Sequence, residues 1–204
     1  MSRLERLIRE ALSAGRPAGW FEPLYAAAEA GEAEVPWDDR EPNPLLVGWA
    51  AGRRGDGRRA VVVGAGLGDD AEFVAGLGFD TVAFDVSATA MRLARRRFPA
   101  SAVDYRAADL LDLPREWRGG FDLVVEAWTV QALPPSLRDA AIAAIRGLLA
   151  RGGTLVAIAD AYEGDDAGPP WPLTRGQMES FAAGDVRLER LERHDAGWLA
   201  ELRR

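Results

Sequence analysis

The stretch AVVVGAGLGDDAEFVAGLGFDTVAFDVS, residues 60–87, decides the fold. An apolar run from Ala60 to Val63 ends in glycines at 64, 66 and 68. Residues 69–77 continue at helical spacing, and a second apolar run closes on Asp85, 21 residues after Gly64. Strand, glycine turn, helix and strand in that order begin a nucleotide-binding βαβ unit. Gly64 and Gly66 let the chain turn sharply and bring bare backbone close to a ligand. A carboxylate at position 85 can accept hydrogen bonds from both ribose hydroxyls of an adenosine ligand. A glycine-rich turn that binds nothing would explain the glycines, but not the terminal acid or the order of the elements.

Outward from this unit, strand and helix alternate. Strands are expected at 60–63, 81–85, 103–106, 121–126 and 154–159, and helices at 69–77, 88–98 and 136–150. Ser136 with Asp139 reads as a capping box for the last of these, and Thr174 with Gln177 as another for a helix over 175–183. Val186, Leu188 and Leu191 alternate with charged residues in a half-exposed, antiparallel strand, and GWLAELRR is a final strand. The fold class is α/β, a Rossmann-like doubly wound and mostly parallel sheet. Before it, helices are expected at 3–14 and 20–31, and a short one after Asn43-Pro44, which resembles an N-cap followed by proline at the first helical position. Residues 1–59 thus read as an N-terminal helical cap, 60–204 as the nucleotide-binding domain, and RRGDGRR (53–59) as the seam within one compact unit.

Composition narrows the function. The 204 residues carry a net charge of −7, which disfavours nucleic acid, where neutralising phosphates dominates affinity. No apolar run approaches the roughly 20 residues of a membrane span, and the charged N-terminus lacks a signal peptide's apolar region, so the cytoplasm is the expected compartment. With no cysteine, no lysine and one histidine, disulfides, thiolate metal sites, Schiff bases and multi-histidine metal sites are excluded, and no metal is expected.

The loop chemistry discriminates between cofactors. A dinucleotide fingerprint is G-x-G-x-x-G; here the spacing is G-x-G-x-G, and Asp69 and Asp70 follow. Two carboxylates beside a pyrophosphate at a helix N-terminus are unfavourable. A sulfonium ligand inverts that argument, so the loop favours S-adenosyl-L-methionine. At this point the sequence resembles the class I S-adenosylmethionine-dependent methyltransferases over roughly residues 45–204, most closely their thiopurine and thiol or halide branch. VVVGAGLGDDAEFVAGLG with VAFDVS is similar to the cofactor loop and ribose-binding acid, AADLLDLP (107–114) to the adenine-binding segment, and FDLVVEAWTVQALPP (121–135) to the fourth strand and the loop beneath the methyl donor. GPPWPLTR and VPWDDREPNPLL also resemble segments of that branch. The resemblance implies a seven-stranded sheet and cofactor contacts from Gly64, Ala65, Gly66, Gly68, Asp85 and Val86, with Asp109 on the adenine amino group and Leu110 on the ring. Val62 stands where many class I enzymes have an acid; Asp70 is assigned to the methionine end.

Other residues carry two readings. Glu126, at the end of the fourth strand, either holds the donor's ammonium or orients substrate, or is a solvated strand-end carboxylate. Trp128 either packs on the cofactor or packs the cap; Thr129 and Gln131 are further polar contacts. His194 suits a general base by its ordinary pKa, although its charged neighbours favour a surface position. Glu126, Trp128 and His194 are the weak catalytic candidates. Tyr25, Trp20 and Trp37 line an acceptor site or glue the cap to the sheet. Asp38, Asp39 and Arg40 form a solvated loop, with Arg40 the best of them for an anionic substrate, and the run 163–166 is an exposed acidic loop. The expected reaction is in-line methyl transfer to a small molecule. The lack of a strong base leans towards a thiol. A metabolite O- or N-methyltransferase, a non-catalytic S-adenosylmethionine-binding module and a nicotinamide-dependent reductase are the alternatives.

Overall fold

The computed structural model describes residues 2–162, 164, 168–195 and 197–204, so all of the acidic run 163–166 except Gly164 lies outside the described residues. Seven strands form one sheet in the order β3-β2-β1-β4-β5-β7-β6. They are β1 (Arg59–Val63), β2 (Asp80–Asp85), β3 (Asp104–Ala107), β4 (Phe121–Ala127), β5 (Leu149–Ala159), β6 (Arg187–His194) and β7 (Gly197–Arg203). β1 to β5 are parallel, whereas β7 runs antiparallel between β5 and β6. Strand order reverses between β1 and β4, and the carboxyl ends on either side of that switch point are where open α/β sheets bind ligands.

The central strands read as near-continuous apolar runs because both faces are covered. Val61, Val63, Val124 and Leu155 pack against α6 (Pro135–Leu148), while Val62, Leu123, Val125 and Val156 face α3 (Pro44–Trp49), α4 (Asp69–Gly76) and α5 (Ala88–Arg97). Each such side chain contributes about 1.5–3 kcal/mol of burial. Edge strand β6 is charged at five of its eight positions, which blunts pairing with another chain.

Beyond shifts of one or two residues at other element ends, three features differ from expectation. α6 begins at Pro135, with Pro134 extended ahead of it and no side-chain cap. Pro135 has no N–H to satisfy and its fixed φ starts the helix one residue before Ser136. β5 starts at Leu149, directly where α6 ends, and not at 154. The helix after the Thr174–Gln177 capping box spans only Arg175–Glu179. Asn43 caps α3 through Leu45 N–H, with Pro44 in the first turn, as the sequence indicates.

Of the N-terminal helices, α2 (Phe21–Glu29) packs on α5, α1 (Arg3–Ser13) on α2 and α3 on β5, held by polar clamps as well as aromatic packing. Glu22 of α2 accepts from Ser87 Oγ at 2.6 Å, from Thr89 N–H at 3.1 Å and from the Thr89 hydroxyl. Burial alone would raise the Glu22 carboxyl, but those hydrogen bonds outweigh it and hold the group below its ordinary range. Glu29 pairs with Arg92 at 2.7 Å and Arg96 at 2.8 Å. Arg97 bridges Asp38 and Asp69, each at 2.7 Å. Asp38 is therefore an anchored, half-buried residue and not part of a solvated loop. The seam is also fixed: Gly55 N–H donates to Leu77 O and Gly57 N–H to Gly78 O.

Candidate functional site

The site is built where β1, β2 and β4 end. β1 stops at Val63, and the next residues turn through Gly64 (φ 60°) and Gly66 (φ 53°), in the left-handed region that side chains rarely adopt. A Cβ on Gly64 would stand 2.3 Å from Thr129 Oγ1, and one on Gly66 3.0 Å from the Tyr25 hydroxyl. Gly68 N-caps α4, whose first turn carries Asp69, Asp70 and Glu72. The helix's positive end is thus already faced by carboxylates.

Asp85 ends β2 and is buried. Its Oδ2 accepts from Gly66 N–H at 3.1 Å and its Oδ1 from Ser87 N–H at 2.9 Å, so one carboxyl group ties the glycine loop to the start of α5. Burial pushes its pKa up to about 6 against the pull of those amides. Ala65 N–H donates to Phe84 O and Ala108 N–H to Asp85 O, which fixes the loops after β1 and β3 around the same strand end. Asp109 is exposed and turns its own loop by accepting from Leu111 N–H at 2.8 Å, with Leu110 buried beside it. Asp70 accepts from Asn43 N–H at 2.7 Å, and burial lifts its pKa to about 6. It joins the capped start of α3 to the glycine loop.

Two adjoining cavities open here. One, of about 490 Å³, is lined by Asp85, Val86, Asp109, Leu110, Trp20 and Asp160 among others. The second, of about 320 Å³, follows the backbone from Val62 to Asp70, including Ala65. Gly64, Trp37 and Trp128 line both. The cap aromatics serve both expected purposes: Trp20, Phe21, Tyr25 and Trp37 form a cluster, with Trp37 Nε1 donating to the Tyr25 hydroxyl at 3.0 Å, and all four face the larger cavity.

The remaining candidates fall in different places. Trp128 has φ 63°, an uncommon conformation for a bulky residue, and its buried Nε1 has no hydrogen-bond partner. Thr129 Oγ1 donates to Val63 O at 3.0 Å and holds the loop after β4 against β1. Glu126 is not brought into either cavity. Strand alternation turns it to the α6 face, fully buried, where it accepts from Val130 N–H at 2.8 Å while Oε2 has no partner. Burial raises its pKa to about 7. His194 lies at the end of edge strand β6, 3.3 Å from Glu192, and lines neither cavity. Arg40, exposed, lines neither as well.

Asp160 was not singled out by the sequence. It follows the last residue of β5, and it exchanges two hydrogen bonds with Gln131: Gln131 Nε2 donates to Asp160 Oδ2 at 2.8 Å, and Asp160 N–H donates to Gln131 Oε1 at 2.6 Å. Its position just past a parallel strand's carboxyl end was the available signal.

Comparison with known proteins agrees with this arrangement. Residues 60–153 match a family described as a methyltransferase domain. An N-methyltransferase, NodS, from Bradyrhizobium japonicum, solved with S-adenosyl-L-homocysteine, superposes with a TM-score of 0.66 at 20% identity, over 89% of this chain and 98% of that one. The fold is that of the class I methyltransferases. Within the class I fold, the seven-stranded sheet and the helical layers meet the expectation from sequence. A ubiquinone biosynthesis O-methyltransferase of Xanthomonas campestris is 35% identical over 116 residues, which is 55% of this chain and 48% of that protein. The chain thus spans about half the length of that relative. A probable thiol methyltransferase of Arabidopsis thaliana is 26% identical over 179 residues, 85% of this chain and 75% of the relative. No helix among the described residues is long and apolar enough to cross a membrane.

Proposed function

We propose that this chain is an enzyme that binds S-adenosyl-L-methionine and transfers its methyl group to a small-molecule acceptor. The observation that carries the reading is the acid-lined switch point: Asp85 at the end of β2 faces a glycine loop whose following helix opens on Asp69 and Asp70. That site suits a cationic ligand and repels a pyrophosphate. The residues fit the cofactor on further grounds. Gly64 and Gly66 leave bare backbone along the smaller cavity, and Trp128 lines both cavities where they meet.

In this reading Asp85 and Val86 hold the ribose, Asp109 and Leu110 the adenine, and the backbone of Gly64 to Gly68 the methionine end, with Asp70 acting through Asn43. Bound there, S-adenosylmethionine supplies an electrophilic methyl group on a cationic sulfur. The chain's own task is alignment, since fixing the reacting atoms about 3 Å apart can supply much of the rate. Residues 1–59 cover the acceptor side and exclude water through the Trp20–Trp37 cluster, and residues 60–204 hold the cofactor. A net charge of −7 favours a small molecule over nucleic acid as the acceptor.

Sulfur acceptors form a second, finer reading. It is favoured by the long match to the thiol methyltransferase, and it would put this chain in the thiopurine and thiol or halide branch.

Calorimetric titration tests the reading. S-Adenosylmethionine and S-adenosylhomocysteine should bind in the micromolar range while NADH does not, and Asp85→Asn should weaken both by about tenfold. Binding of NADH, or of none of these, would sink it; binding without methyl transfer to any acceptor would leave a non-catalytic module.

A further inference from the structure

The larger cavity has more wall than an adenosine needs. Beyond Asp85 and Asp109 its lining continues over Leu4, Ile8, Trp20 and Phe21 to the Gln131–Asp160 pair and Pro169. Four carboxylates line it, those of Asp39, Asp85, Asp109 and Asp160, and among the described residues no Arg or His does. Asp160 is held rigidly. Its Oδ2 and its own N–H are both fixed by Gln131, and Gln131 O in turn accepts from Trp171 N–H at 2.7 Å. Leu173 N–H donates to Asp160 O at 2.9 Å. Asp160 Oδ1 has no protein partner among the described residues and stands at the carboxyl end of β5, beside the β4 loop that carries Trp128.

We propose that the acceptor is an uncharged aromatic amine, whose N–H donates to Asp160 while its ring lies among the cap's aromatic side chains. This inference rests on the methyltransferase reading and narrows it. The argument is one of charge. With Asp85 and Asp109 taken by the cofactor, an anionic nucleophile such as a thiolate or phenolate would face Asp39 and Asp160 with no Arg or His of the lining to offset them and only the sulfonium itself as a cation, in a partly desolvated setting where like charges cost most. A neutral nitrogen enters without that cost. As its lone pair forms the N–CH3 bond, the CH3–S bond breaks and its electron pair stays on sulfur. Positive charge then moves from sulfur to nitrogen and remains within reach of Asp160 throughout, so the carboxylate stabilises the charge that develops. An N-methylarylammonium is acidic, in the range of carboxylic acids, so its proton passes to Asp160 and the product leaves neutral. Asp160 is in this sense a catalytic residue, and Gln131 a positioning residue that fixes it.

The test uses three probes that share one ring system: 1-naphthylamine, naphthalene-1-thiol and 1-naphthoate. They are titrated calorimetrically into the full chain saturated with S-adenosylhomocysteine at pH 7.5. The amine should bind at least about tenfold tighter than the carboxylate and tighter than the thiol, and Asp160→Asn should cut that preference to about threefold or less. With methyl-labelled S-adenosylmethionine, label should appear on the amine nitrogen. If the carboxylate or the thiol binds as tightly as the amine, or the amine does not bind up to its solubility limit, the inference is overturned and methyl transfer to another acceptor stands. If S-adenosylhomocysteine itself fails to bind, both readings fall. Should Asp160→Asn not fold, the order of the three probes on the unmodified protein decides alone.

Discussion

Replacing Gly64 by alanine should destabilise the fold through two separable effects. The residue sits at φ 60°, where a Cβ costs about 1–2 kcal/mol by itself. The new methyl would also stand 2.3 Å from Thr129 Oγ1, 2.8 Å from its Cγ2 and 3.1 Å from its Cβ. Thr129 is not free to swing aside, because Oγ1 donates to Val63 O at 3.0 Å. Overpacking of that kind costs about 1–3 kcal/mol. Gly64→Ala should therefore lose about 3 kcal/mol, a large share of the roughly 5–15 kcal/mol that holds a domain together. Thr129→Ala alone removes one hydrogen bond and should lose about 1 kcal/mol. In the double variant the two closest obstacles are gone, and the backbone effect of the Gly64→Ala change remains with only the 3.1 Å contact to the Cβ at position 129. Urea unfolding of all four proteins, with equal m-values, should give a double variant more stable by about 1–2 kcal/mol than the sum of the singles. Additivity to within about 0.5 kcal/mol would refute the reasoning, because Thr129 would then not be what excludes a side chain at position 64.

Other predictions concern charge. Asp70, Asp85 and Glu126 have folded-state pKa values raised by burial to about 6, 6 and 7. For each, the folded state holds the proton more tightly than the unfolded one, so their contribution to stability is complete below the ordinary carboxylate range and is lost as pH rises through 6 to 7. Stability from urea unfolding should accordingly fall by up to about 5 kcal/mol between pH 5 and pH 8, about half of it from Glu126, and a rise over that window would contradict the burial of these groups. Glu126→Gln should flatten the drop between pH 6 and pH 8 by about 1 kcal/mol, seen as a smaller shift in urea midpoint. Arg97→Met should cost about 2 kcal/mol, between the worth of exposed and buried pairs, because Asp38 and Asp69 would be left facing one another half-buried. A loss below about 0.5 kcal/mol would make this cluster an ordinary surface pair. S-Adenosylhomocysteine affinity should fall below pH 6, by up to about tenfold per pH unit as Asp85 takes up its proton, and calorimetry on Asp85→Asn should show no such slope.

The parts of this fold that were legible in the sequence are those dictated by local pattern. The run from Ala60 to Asp85 could hardly be misplaced, since apolar periodicity, glycines and a strand-end acid all agree over 26 residues of chain. The Thr174–Gln177 and Asn43–Pro44 caps were equally local. Ser136 misled because two prolines before it start the helix without any side-chain cap. Glu126 misled for a different reason. It was placed by its distance along β4, whereas its direction follows from parity: Leu123, Val125 and Ala127 share one face, and Glu126 joins Val124 on the other. The clamps Glu22–Ser87 and Arg97–Asp38 depend on where the cap docks, which no local pattern encodes. Asp160 gave no motif of its own, only a position after a strand, and its pairing with Gln131 spans 29 residues.

The loop after β4 shows why a residue outside the cavities still shapes them. Trp128 is held at φ 63°, a conformation that costs a non-glycine residue about 1–3 kcal/mol and persists only where its surroundings impose it. Those surroundings can be named. Trp128 N–H is bound to Ile158 O at 2.9 Å, Thr129 Oγ1 to Val63 O at 3.0 Å, and Val130 N–H to the buried Glu126 carboxyl at 2.8 Å. Three hydrogen bonds to three different strands thus fix three consecutive residues. The indole they aim stands where the two cavities meet, the junction at which a donor lying along the glycine loop and an acceptor under the cap have to face each other. Glu126 never needs to touch a ligand to matter there. By anchoring Val130 from the opposite face of the sheet, it helps keep Trp128 in the one backbone conformation that walls both cavities, and the strain stored at position 128 is offset within the core beneath it.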